Sequence, residues 1–270
     1  MKKISAIRSY LFLVVLIAIA ACKQQDENPV VQAVYPSSEV VPENLLRMYI
    51  QFSRPMKTIG NLEKIVLIDD KGNEVENVFF NNVYELWNEE QTQLTLILDP
   101  ARVKTGLRAN ETHGRAIQPY KSYTLIVEDL EDVYHRKMEA PFKKRISVES
   151  ADLQTPDIDQ WKLNVPKSDS RSSFSVEFPQ MLDYNSLKQR LIITDSENIP
   201  VKGIVSIEDQ ETEWRFQPES PWEEGTYILH VNTRLEDPAG NNLNGLFDHK
   251  IGSLKNKHEG EMESILLKIE

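Results

Sequence analysis

Two copies of one strand-and-turn pattern constrain this chain more than any other feature. The clearer copy is Gly225–Asn241, in which Tyr227, Leu229 and Val231 alternate with Ile228 and His230 before Glu236, Asp237 and a tight turn. Strand side chains point to opposite faces with period two, so the first set predicts a core face. The second copy, Lys121–Asp132, repeats that set as Tyr123, Leu125 and Val127 and ends in Glu131 and Asp132. Tyr123 and Tyr227 lie 104 positions apart, Asp132 and Asp237 105 apart. A near-constant offset predicts two repeats of one domain.

The match extends upstream. Met48–Phe52 parallels Phe174–Phe178, each followed by a Pro (Pro55, Pro179) and a Met (Met56, Met181). Leu62–Asp69 then parallels Leu187–Asp195. Here the offset is 126, so the first repeat holds about 22 extra residues before Tyr123. Fourteen of them fall between Pro100 and Tyr123, where the second repeat has only Pro218–Tyr227.

The second repeat resembles the bacterial Ig-like domain found in S-layer proteins, the SbsA-type family. The residues that carry the resemblance are Phe178, Pro179, Met181, the run Trp214, Phe216 and Pro218, the strand Gly225, Tyr227, Leu229 and Val231, and the turn Asp237–Asn241. The first repeat fits less closely, because Asp132–Arg136 replaces the Ala-Gly-Asn turn. The resemblance covers residues 31–250 and implies an all-β fold of two tandem Ig-like β-sandwiches with a surface role. It implies no catalytic residues.

The N-terminus gives an address. Lys2, Lys3 and Arg8 precede the uncharged, largely apolar Ser9–Ala21, and Cys22 follows. This is a signal peptide's basic and apolar region, too short to span a bilayer, which needs about 20 residues. Ile19–Cys22 resembles the lipobox of bacterial lipoproteins, which implies a diacylglycerol on Cys22 and an outer-membrane location in the cell envelope. The expected organisation is signal peptide 1–21, tether 22–30, first domain 31–149, linker 150–156 and second domain 157–270.

Losing Lys2, Lys3 and Arg8 takes the net charge from −11 to −14. Nucleic acid needs a basic face, so it is not an expected partner. Cys22 is the one cysteine, so no intramolecular disulfide forms and core burial alone must hold the fold.

Alternation and turn residues predict strands at Val30–Tyr35 (an edge), Leu45–Phe52, Ile65–Ile68, Val75–Phe80, Gln93–Leu98, Tyr123–Val127 and Phe142–Val148. The second half is expected to carry Trp161–Val165, Phe174–Phe178, Leu191–Thr194, Val201–Ile207, Glu213–Gln217, Gly225–Val231 and a closing Ser264–Ile269. Trp214 and Phe216 are expected in the core, and Trp222, in a Pro-rich turn, partly exposed.

The Pro100–Tyr123 segment reads as a long loop. Its Arg102, Lys104, Arg108, His113 and Arg115 face one acid, Glu111. Long loops in compact domains are often functional, so this is a candidate docking surface; the alternative is a solvated loop paired with the chain's own carboxylates. Asp237, Gly240 and Asn241 read as a structural turn in which Gly supplies positive φ, with calcium binding through Glu236, Asp237 and Asn241 as the alternative. Asp69, Asp70 and Glu74 lack EF-hand spacing.

The five His lie in separate segments without metal-ligand spacing, and no nucleophile, phosphate-loop or dinucleotide motif occurs. The expected function is therefore non-catalytic and without cofactor or metal: a lipid-anchored module binding an envelope protein or glycan. The alternative is a carbohydrate-binding or hydrolytic surface lipoprotein of a glycan-uptake system, which exposed aromatics gathered in one groove would favour.

Overall fold

The computed structural model describes residues 27–80, 84–248 and 261–270. The signal peptide and Cys22 lie outside these residues.

The first half builds two facing sheets. One has the order β1-β3-β6-β5, from β1 (Val31–Tyr35), β3 (Arg47–Phe52), β6 (Gln93–Ile97) and β5 (Leu86–Trp87). The other is β2-β8-β7-β4, from β2 (Val40–Pro42), β8 (Phe142–Glu149), β7 (Ser122–Val127) and β4 (Ile65–Asp69). β1 is an edge strand, as expected. Met48, Ile50, Phe52, Leu94 and Leu96 from one sheet meet Leu67, Tyr123, Leu125, Val127 and Ile146 from the other in one core. Each apolar side chain fully buried there contributes about 1.5–3 kcal/mol.

The second half repeats the plan. Its sheets are β12-β13-β10-β9, from β9 (Lys162–Asn164), β10 (Phe174–Glu177), β12 (Gly203–Glu208) and β13 (Glu213–Pro218), and β11-β14-β15, from β11 (Leu191–Asp195), β14 (Gly225–Asn232) and β15 (Met262–Ile269). Phe174, Val176, Trp214, Phe216, Leu229, Val231, Leu267 and Ile269 share a second core. The described chain is thus an all-β protein of antiparallel sandwiches; the pairing of β2 with β8 is parallel.

The repeat is written into the turns. Asp69, Asp132, Asp195 and Asp237 each accept two backbone N–H groups on one carboxylate oxygen, from the residues two and four positions on. In each, the Asp N–H donates to the carbonyl four positions on. The fourth residue has positive φ: Gly72, His135, Asn198 and Gly240. An Asp side chain replaces backbone hydrogen bonds in such turns, and Gly or Asn tolerates the left-handed conformation.

Three expectations need correction. Val75–Phe80 is not a strand. It makes isolated bridges around Glu74 and Phe79, because Asn77 has φ of 52° and breaks the extended run. Pro100–Tyr123 is not all loop but carries α1 (Pro100–Val103) and α2 (Arg108–His113). Asp99 caps the Ala101 N–H and Pro100 opens the first turn, while Gly114 at φ of 70° ends the second helix. Trp222 is 2% exposed rather than open. Its ring packs between Phe216 and Tyr227, and its indole N–H donates to the Ser172 carbonyl. A third helix, α3 (Tyr184–Arg190), precedes β11 where the first half has a single 3-10 turn at Leu62–Lys64.

Candidate functional site

Three features outside the cores hold polar groups in fixed positions: a seam between the halves, a brace across its end, and a cleft in the first half.

At the seam, β3 is buried on both faces. Met48 and Ile50 enter the first core, while Tyr49, 3% exposed, points at the second half. Its hydroxyl donates to both carboxylate oxygens of Asp183, at 3.0 and 2.8 Å. Asp183 also caps α3 by accepting the Ser186 N–H. Burial raises the Asp183 carboxyl above its ordinary value, against the Arg47 charge and these hydrogen bonds. Burial raises the Tyr49 hydroxyl too, and the Asp183 charge adds to it. Arg47 pairs with Glu236 at 2.8 Å. Tyr35 and Tyr184 stack with centroids 3.5 Å apart. Glu211, raised by burial, accepts the Ser37 N–H. The linker is fixed as well: Asn44 holds Asp152 through its N–H and carbonyl, and Asn241 donates to the same carbonyl.

Asp237, Gly240 and Asn241 sit in this seam, each buried. Burial, followed by the neighbouring Asp152 charge, pushes the Asp237 carboxyl up to about 8 against hydrogen bonds from Asn241 and Ala239. The Leu46 N–H donates to the Pro238 carbonyl. A Cβ on Gly240 would lie 2.6 Å from a Leu46 methyl.

The basic segment braces the seam's end. Arg102 donates to the carbonyls of Gly114, Arg115, Glu76 and Asn77. Arg115 donates to the Val103 carbonyl and pairs with Glu43 and Asp248. Thr105 donates to Asp248, and Lys104 lies 4.3 Å from the Phe247 ring centroid. Phe247, from the second repeat, packs against the first core. Arg108 and His113 are exposed. The five basic residues therefore do not converge on one surface. The seam residues Tyr49, Asp183 and Glu211 escaped the sequence reading, although Asp183 directly before a helical stretch is a capping signal.

The cleft, about 740 Å³, opens between the sheet edges at β4 and β5. Phe79, Tyr84 and Trp87 line it, together with Glu63, Glu74 and Glu85. Glu85 accepts the Asn61 and Leu62 N–H groups and the Trp87 indole N–H, which fixes that ring. Tyr84 is 78% exposed. Among the described residues no group of three or more His, Cys, Asp or Glu is placed to hold a metal ion, and no helix is long and apolar enough to cross a membrane.

No protein-family model matches the chain, and no curated protein matches it. Solved structures do. Domains 1–6 of the surface layer protein SbsC align at 11% identity and a TM-score of 0.35, covering 93% of this chain and 27% of that one. The N-terminal part of the bacterial S-layer protein SbsC aligns at 10% and 0.34, covering 93% and 46%. Domains MG0-NIE-MG1 of native Escherichia coli alpha-2-macroglobulin align at 11% and 0.29, covering 90% and 72%. The chain spans less than half the length of the two S-layer structures. At such low scores no function carries over from one protein to another.

Proposed function

We propose that this chain is a non-catalytic, lipid-anchored protein of the cell envelope, held in the outer membrane through Cys22, whose two Ig-like units act as one rigid module binding an envelope protein or a glycan. The observation that carries the reading is the seam. Tyr49–Asp183, Arg47–Glu236 and the Asn44–Asp152–Asn241 contacts join the two sandwiches to each other. Buried Asp132 and Asp237 are engaged by their turns, and Asp183 by its helix and Tyr49, which is the behaviour of structural acids rather than catalytic ones. In this reading Arg102, Lys104 and Arg115 brace the module, and Arg108 and His113 are the solvent-facing residues of the candidate partner loop. A second reading, carbohydrate binding, draws on Phe79, Tyr84 and Trp87 sharing one cleft.

Labelled palmitate in growing cells tests the anchor. The expected result is label in the wild-type chain, none in Cys22→Ala, and wild-type protein in the outer-membrane fraction. Label independent of Cys22 would overturn it. Capture of envelope components by the full chain and by an Arg108→Ala, His113→Ala double variant tests the loop; equal capture by both would remove it.

A further inference from the structure

The cleft has a chemical bias. Among the described residues its charged lining is Glu63, Glu74 and Glu85, with no Lys, Arg or His. Glu63 and Glu74 are exposed, and ionised carboxylates only accept hydrogen bonds. Beside them are the Tyr84 and Trp87 rings, and Ile59 at 86% exposure adds apolar rim. Aromatic faces next to carboxylates attract ammonium and guanidinium groups.

The backbone excludes one mode of entry. On the β4 side, Asp69 and Val75 N–H groups bond the Asn73 and Leu67 carbonyls; on the β6 side, the Phe80 N–H bonds the Ile97 carbonyl. At these positions of β4 and β6 the chain's own segment already fills the backbone bonds, so an occupant there meets side chains. The volume falls within the roughly 300–1,000 Å³ usual for binding sites.

We propose that this cleft docks a positively charged, Lys- or Arg-bearing segment of a partner protein, an inference that rests on the binding-module reading above and names its partner's chemistry. A cationic side chain meets the Tyr84 ring and the Glu63 and Glu74 carboxylates, and Glu85 holds the Trp87 ring by its indole N–H.

The test titrates the mature chain, purified in nonionic detergent, with labelled oligo-arginine and oligo-lysine peptides and with a neutral oligosaccharide panel. Three variants accompany it: Glu63→Gln with Glu74→Gln, Tyr84→Ala, and the remote control Glu223→Gln with Glu224→Gln. Thermal melts confirm that each is folded. The expected result is peptide binding that weakens with salt, falls about tenfold in both cleft variants and is unchanged in the control. Equal loss in the control would show general attraction to an acidic protein and overturn the proposal. So would an oligosaccharide that binds and is lost with Tyr84→Ala, or no binding by any probe. Palmitate labelling at Cys22 is read separately, so failure of the cleft and failure of the anchored-module reading remain distinguishable.

Discussion

The turns at Asp132 and Asp237 close equivalent strands with the same hydrogen bonds, yet they are built from different residues. In the first, Val133, Tyr134 and His135 are exposed; in the second, Pro238 through Asn241 are buried. His135 and Gly240 occupy the same position, with φ of 65° and 80°. The difference follows from what covers each turn. Solvent covers His135, so a side chain only bears the left-handed strain, about 1–2 kcal/mol. Leu46 covers Gly240 so closely that a Cβ there would force the Leu46 side chain to shift. The Gly-Asn turn is therefore a seam requirement, and the repeat without a neighbour at that turn is free of it. The carboxylates differ as well. Asp132 is buried beside Arg54 and Arg136, at 3.9 and 2.7 Å. Asp237 instead faces the Asp152 charge.

Gly240→Val places a branched side chain against Leu46. Overpacking and left-handed strain together are expected to cost about 3 kcal/mol, measured by urea unfolding. A loss under about 1 kcal/mol would mean the seam yields at Leu46. Asp132→Asn comes next, at about 2 kcal/mol near neutral pH, since it strips charge from bonds to Arg136. Asp237→Asn, which breaks no ion pair among the described residues, is expected to cost less in the same assay.

The pH response should be opposite in the two turns. Burial works against the Asp132 carboxylate, but hydrogen bonds from Arg136 and Tyr134 hold it below its ordinary value. Its contribution is present above about pH 4 and is lost as pH falls toward its folded value. Asp237 titrates at about 8 when folded and at about 3.9 when unfolded. Between those values the folded chain binds the extra proton, so stability falls as pH rises. Asp183, Glu211 and Glu236 shift in the same direction. Calorimetry should show Tm declining from pH 5 to pH 8, and Asp237→Asn should flatten the decline; an unchanged slope would exclude Asp237 as its source. The smallest effect is His135→Gly. Relief of strain is offset by glycine's unfolded-state entropy, leaving a gain of about 0.5 kcal/mol.

Where side chains alternate over an ordinary edge or core, the sequence was legible. Tyr123, Leu125 and Val127, like Leu229 and Val231, report their face through period two, and Asp-x-x-Gly announces its turn through local chemistry. Val75–Phe80 misled because its alternation is genuine, while one left-handed Asn77 breaks the ladder. Trp222 misled because its proline neighbours resemble a surface turn, while Phe216 and Tyr227 enclose it from elsewhere in the chain.

Period-two alternation and the turn preferences of Asp, Asn and Gly act over a few residues, so the two sandwiches, their offset and their matched turns can be read along the chain. That Tyr49 reaches Asp183 across 134 positions, that Arg102 and Arg115 bond the chain's own carbonyls and carboxylates, and that Tyr84 lines a cleft with Glu63 and Glu74 emerge only in the folded chain. Those outcomes depend on which surfaces meet once the strands have paired, and burial by a distant segment leaves no local pattern to read.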